Sequence, residues 1–241
     1  MAEFRPRGFS ILPTVVKNII IICILVFLAQ LVSARVFNYP LEYLFALHYW
    51  QSSWFKSFQL VTHLFMHGGV WHIAINMFVL WMFGSILENV WGPKRFLTFY
   101  MVCGLGAALC FLVVQTIQFH HLPGAASVGY GIGLDPVRLY NTGQRALAGF
   151  LAEPVLGASG AIFGVLVAFG MMFPNSLLYL YFFVPIKAKW FVIGYIVVEL
   201  WTGLQNNPGD NVAHFAHLGG ALFGFIMMKI WQRRGIGTGR Y

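Results

Sequence analysis

A serine among small residues, Gly157-Ala158-Ser159-Gly160, opens the apolar run from Ala161 to Phe173. Small residues let helix backbones approach each other. The same arrangement also offers a nucleophile on a turn, with helix-start N–H groups aimed at the atom it attacks. A serine hydroxyl needs a base to take its proton, and an imidazole, with an ordinary pKa near ~6.5, is the usual one at neutral pH. His217 supplies it. With Gly220 and Gly224, at offsets of three and seven, it makes one smooth helix face, and Gly160 and Gly164 make a matching stripe beside the serine. Two such faces can approach closely enough for Ser159 and His217 to share a hydrogen bond. His214, three residues earlier, competes as base, but the Gly220/Gly224 register favours His217. His72 and Asn76 stand four residues apart, on one side of a helix. With backbone N–H groups they are expected to hold a developing oxyanion. Phe163, one turn below Ser159, is placed to stack on the His217 ring.

No carboxylate is expected at this centre. Glu88 lies twelve residues beyond Asn76, about 18 Å along the helix. Glu199 falls near the middle of its apolar run and reads as too deep, and Asp210 reads as lying at the water surface. The expectation is therefore a Ser–His dyad. Glu199 stays unexplained, either a functional acid or a protonated, hydrogen-bonded one. His63, His67 and His72 have the look of metal ligands, but there is no His-Glu-x-x-His motif and no acid or cysteine lies between them. Structural hydrogen bonds are expected there, with no metal and no cofactor.

The elements that must position these groups are apolar helices. Of 241 residues, 59% are hydrophobic and 9% are charged, where soluble domains carry about 25% charged residues. Such a chain is a polytopic membrane protein. The net charge of +8 does not form one basic patch, so nucleic acid is not an expected partner. Cys23, Cys103 and Cys110 all lie in apolar runs and read as buried free thiols.

Six spans are expected, at roughly 18–36, 72–91, 95–117, 155–173, 188–206 and 212–232, each near the ~20 residues a bilayer requires. Residues 1–17 are expected to form a cytoplasmic lead, and 233–241 a cytoplasmic tail. Val32-Ser33-Ala34 faintly resembles a signal-peptidase site, but the first span is expected to be retained. An inside N-terminus puts Arg5, Arg7, Lys17, Lys94, Arg95, Lys187, Lys189, Lys229, Arg233, Arg234 and Arg240 on the cytoplasmic side. Arg35, Lys56, Arg138 and Arg145 are left outside. That bias follows the positive-inside rule and places both termini inside, in a membrane expected to be a bacterial inner membrane. Two long outer loops remain. Residues 37–71 are rich in aromatics and suited to the headgroup region, and 118–154 is an irregular insertion with a short helix near Gln144 to Leu151. Pro174-Asn175 and Pro185 mark an inner turn. No internal repeat supports a transporter. In this topology His72, Asn76, Ser159 and His217 all fall near the outer ends of three parallel helices, where intramembrane polar groups face a cavity.

On Gly157-Ala158-Ser159-Gly160, Ala216-His217-Leu218-Gly219-Gly220-Ala221-Leu222-Phe223-Gly224 and His72-Ile73-Ala74-Ile75-Asn76, the chain resembles the rhomboid family of intramembrane serine proteases. Glu88 at the family's spacing and the lead-in from Thr62 to His67 extend the likeness over roughly residues 58–228. The resemblance implies an all-α, six-transmembrane-helix bundle. It implies cleavage of transmembrane protein substrates near the outer leaflet, through a water-filled cavity entered from the side. Phe58-Gln59 stands where many members have Trp-Arg, which bears on how the first loop is anchored. Phe163 stands where tyrosine is frequent. The rival readings are a catalytically silent relative that binds transmembrane clients, against which the intact Ser159 and His217 speak, and a channel or transporter.

Overall fold

Apolar runs this long can satisfy their backbone in lipid only as helices, and helices dominate. The structure, a computed structural model, describes residues 9–129, 131–180, 183–205 and 211–235. Asp210 lies outside these residues, as do residues 1–8 of the expected N-terminal lead and most of the expected C-terminal tail. Six long helices are described: α1 (Thr14–Val36), α2 (Val70–Trp91), α3 (Pro93–His120), α4 (Ser159–Met172), α5 (Ala188–Leu204) and α6 (Asn211–Arg233). The first three are long and apolar enough to cross a membrane. Their outer faces carry large exposed side chains such as Ile24, Leu25, Leu28, Leu105, Leu109 and Val113. Soluble proteins rarely expose such continuous apolar surface.

At the centre stands α4. Every residue from Gly160 to Gly170 is buried, as expected of a helix that is apolar all round. It begins at Ser159, later than the expected 155, because Glu153–Ala158 are spent on a loop and cap. Its closest neighbours are α3 and α6, and glycine makes that closeness attainable. A Cβ at Gly220 of α6 would collide with the Gly160 carbonyl of α4, and one at Gly224 would lie 2.7 Å from the Gly164 Cα. A Cβ on Gly160 would in turn lie 2.5 Å from that of Ala107 on α3.

Glu88 ties the start of α1 to the C-terminal end of α2. Its carboxylate accepts the N–H groups of Val15 (2.9 Å) and Val16 (2.8 Å), two otherwise orphaned donors in the first turn of α1. This acid thus acts at the end of the bundle remote from Ser159.

The expectation of a purely helical chain needs one correction. The stretch read as an inner turn forms an antiparallel hairpin, β1 (Leu177–Leu180) with β2 (Val184–Lys187). Its β-branched and aromatic residues favour extended backbone, and Pro185 occupies a strand of a two-stranded sheet that is all edge.

The two long loops build a lobe together. In 118–154, helical turns at Ala125–Val128 and Pro136–Asn141 precede the expected short helix, Arg145–Ala152. Leu139, Leu147, Ala148 and Leu151 pack with Tyr49 of the first loop and Phe119 of α3. Gln51 O accepts the N–H groups of Gly133 (2.9 Å) and Leu134 (2.8 Å). Leu47 and Val155 exchange two backbone bonds, each 2.9 Å.

Gln59 anchors the first loop. It is fully buried. Its Nε2 donates to Leu44 O (3.0 Å) and Trp54 O (2.9 Å), and its Oε1 accepts from Lys56 N (3.1 Å) and His48 N (3.3 Å). A neutral amide thus serves both donor and acceptor needs of buried loop backbone.

Candidate active site

Ser159 is the first residue of α4, and the N–H groups of that first turn have no acceptor within the helix. Gly157 leads into it with φ +125°, a conformation L side chains rarely adopt. Its N–H donates to His63 O at 2.9 Å, which fixes the turn. The close packing of α4 on α6 then presents His217 to the serine: His217 Nε2 lies 2.7 Å from Ser159 Oγ. Phe163 stacks on the imidazole, with centroids 4.5 Å apart and planes within 9°, as its spacing predicts. Tyr195 of α5 packs against Phe163 with centroids 4.7 Å apart.

His72 and Asn76 of α2 border the same space. His72 Nδ1 accepts the Gly68 N–H at 3.3 Å. A neutral ring in that state carries its proton on Nε2. A Cβ added to Gly157 would lie 2.9 Å from this Nε2 and 3.6 Å from Ser159 Oγ, so the absent side chain leaves the His72 ring and the serine as neighbours. Asn76 Nδ2 donates to His72 O at 2.8 Å, which leaves its second amide hydrogen uncommitted by that bond. Two cavities flank the centre. One, about 110 Å³, reaches His63, His72, Leu156, Ser159 and His217. The other, about 170 Å³, opens between α2, α4 and α5 along Ile75, Asn76, Ser159, Phe163, Tyr195 and His217.

Glu199 corrects the sequence reading. Its Oε2 lies 3.0 Å from His217 Nδ1 and 2.6 Å from His214 Nδ1. It is not too deep. Glu199 stands five residues before the end of α5 at Leu204, and His217 six residues after the start of α6 at Asn211, so each lies ~7–9 Å from the same connection. Counting from that connection instead of from the span's centre would have revealed the match. Tyr195, four residues before Glu199 and on the same side of α5, was missed for the same reason.

His63 meets the expectation of structural bonding: its Nδ1 lies 2.7 Å from Gln59 O. The His67 ring nitrogens find no partner among the described residues. Its backbone carries the bonding instead, exchanging two 3.1 Å bonds with the Gln30 amide. Burial pushes the imidazoles of His63 and His67 both down to about 4.

Comparison with known proteins agrees with this architecture. The family model for the rhomboid domain matches residues 54–234. The chain belongs to the rhomboid family. Among curated rhomboid relatives, "RHOMBOID-like protein 12, mitochondrial" of Arabidopsis thaliana is 32% identical over 188 residues, 76% of this chain and 47% of its own length. "Rhomboid protein 1, mitochondrial" of Saccharomyces cerevisiae is 27% identical over 169 residues, 69% of this chain and 40% of its own. Human "Presenilin-associated rhomboid-like protein, mitochondrial" is 29% identical over 184 residues, 73% of this chain and 39% of its own. This rhomboid chain thus spans about half, or less, of the length of these relatives. The expected bacterial inner membrane draws no support from relatives named as mitochondrial; the membrane assignment itself stands.

Proposed function

We propose that this rhomboid is an intramembrane serine endopeptidase that cuts transmembrane protein substrates, with α1–α6 forming a six-helix membrane bundle and both termini on the cytoplasmic side. The observation that carries this reading is the 2.7 Å contact between Ser159 Oγ and His217 Nε2. In the first step Oγ bonds to the scissile carbonyl carbon and its proton passes to Nε2. The negative charge that develops on the carbonyl oxygen is met by the Ser159 N–H, His72 Nε2 and Asn76 Nδ2. Collapse breaks the peptide C–N bond, and His217 returns the proton to the departing amine. Water, deprotonated by the same imidazole, then releases the acyl group.

The length of α4 supports a site below the membrane surface. Fourteen residues span about 21 Å, against about 30 Å of hydrocarbon. With its inner end at the inner boundary, α4 starts inside the lipid, and the cavities bring water to it. A substrate helix must unwind to offer a carbonyl, so helix-weakening residues near its outer end favour cleavage. The cavity between α2 and α5 is the side on which it enters.

The test uses purified protein in liposomes with a labelled single-span substrate, beside Ser159→Ala and His217→Ala. Cleavage by the parent alone, with fluorophosphonate labelling of Ser159, is the expected result. Undiminished cleavage by both variants removes the mechanism. Binding of the substrate without cleavage by the parent turns the assignment to a silent client-binding protein.

A further inference from the structure

We infer that Glu199 is a positioning residue that completes a Ser159–His217–Glu199 relay within the membrane, with His214 holding the carboxylate in its acceptor state. The inference rests on the protease reading of the same site.

The argument is one of tautomers. A neutral imidazole carries one proton, and His217 can take the hydroxyl proton of Ser159 only if its Nε2 is bare, which requires the proton on Nδ1. Nδ1 needs an acceptor, and Glu199 Oε2 stands 3.0 Å from it. Were Glu199 protonated on that oxygen and donating to Nδ1, the ring proton would move to Nε2 and point at Ser159, where it blocks the reaction.

His214 decides between the two states. Its Nδ1 lies 2.6 Å from the same Oε2 and 3.2 Å from Thr202 Oγ1. The Thr202 hydroxyl has its own acceptors in Val198 O (2.8 Å) and Glu199 O (3.1 Å), so its proton is committed there. His214 Nδ1 is then the donor, and its N–H points into Oε2. An oxygen that accepts an N–H from each of two rings bears no proton of its own, and the ionised carboxylate gives both donors a charged acceptor. Glu199 is buried, at 5% exposure, and a buried carboxylate persists only where such donors surround it. As His217 becomes imidazolium, the fixed negative charge beside Nδ1 stabilises it without rearrangement. Phe163 sets the plane of the ring from one face, and Glu199 sets its rotation about that plane.

The same three side chains bring donor atoms within 4.8 Å of one another and are able to hold a cation. The relay reading requires that they do not hold one during turnover.

The experiment compares parent, Glu199→Gln, Glu199→Asp, His214→Asn and His214→Leu, as full chains in liposomes. Initial rates give kcat and KM separately, and thermal melting and fluorophosphonate labelling run alongside. For Glu199→Gln, kcat is expected to fall by about two to four orders of magnitude, the size of effect a wrong tautomer has in serine proteases. KM and melting temperature stay near parental, and labelling slows in step with kcat. Glu199→Asp keeps the charge and recovers part of the loss, and His214→Leu keeps the proposal testable if the glutamine variant folds poorly. His214→Leu loses about tenfold in kcat, and His214→Asn, whose amide imitates Nδ1–H, recovers part of that loss. Parental kcat in Glu199→Gln overturns the relay while leaving the Ser–His reading intact, as does parental kcat in His214→Leu where the glutamine variant does not fold. A parent that neither cleaves nor labels overturns both. Activity abolished by EDTA and restored by zinc overturns the relay in favour of a metal site.

Discussion

Single side chains here carry tasks that residue type alone suggests only in part. Phe163 was legible from its spacing, because one turn beneath the serine there is one direction for it to point. Its stack predicts that Phe163→Tyr keeps near-parental activity. Phe163→Leu leaves the His217 ring free to rotate and is expected to lower kcat about tenfold, from the ~0.5–1.5 kcal/mol that ring stacking contributes, with melting recorded to separate folding from rate. Gln59 was legible only as a polar residue in an aromatic-rich loop. Which backbone groups a buried amide will serve depends on how the loop closes over it, and no spacing rule encodes that. With four bonds from one side chain, Gln59→Leu is expected to lose about 2–4 kcal/mol through unsatisfied buried backbone. Thermal unfolding in detergent measures the loss.

Helix by helix, the sequence was most informative where small residues recur and least informative about where elements stop. The stripes at Gly160/Gly164 and Gly220/Gly224 foretold which two helices touch, and the structure adds that the Gly160 carbonyl occupies the space a Gly220 side chain would need. Gly220→Val is therefore expected to push α6 away from α4 at a cost of about 3 kcal/mol or more. Labelling of Ser159 would disappear even in protein that still folds, since the separation parts His217 from the hydroxyl. Glu199 was misplaced for a related reason. Depth was judged from the centre of an apolar run, whereas α5 ends at Leu204. The hairpin at 177–187 was hidden because a short apolar run bounded by prolines reads equally as turn or strand.

For the molecule as a whole, the membrane character and the three site-bearing helices follow from composition and hydropathy. The lobe formed by 37–71 and 118–154 does not, because its core joins residues as distant as Tyr49 and Leu151. The lobe segment also gives the protein a pH signature. Burial holds the His63 and His67 imidazoles down at about 4 in the folded chain, against ~6.5 in the unfolded one. Between those values the unfolded chain binds more protons, so stability falls as pH drops through this window. Above pH ~6.5 neither state binds protons at these sites, and the dependence vanishes. Up to about 3 kcal/mol for each ring is at stake. Melting curves from pH 7.5 to 4 are expected to fall steeply below pH 6.5, and less steeply in His67→Asn.

Leu47 and Val155 grip each other by two backbone bonds only four residues ahead of the nucleophile. If the chain is a protease, an antibody fragment that clasps this lobe thus holds a lever on the serine from outside the bundle. Inhibitors of that kind would lower turnover at saturating substrate instead of competing for entry, and drug discovery against this chain need not begin inside the lipid.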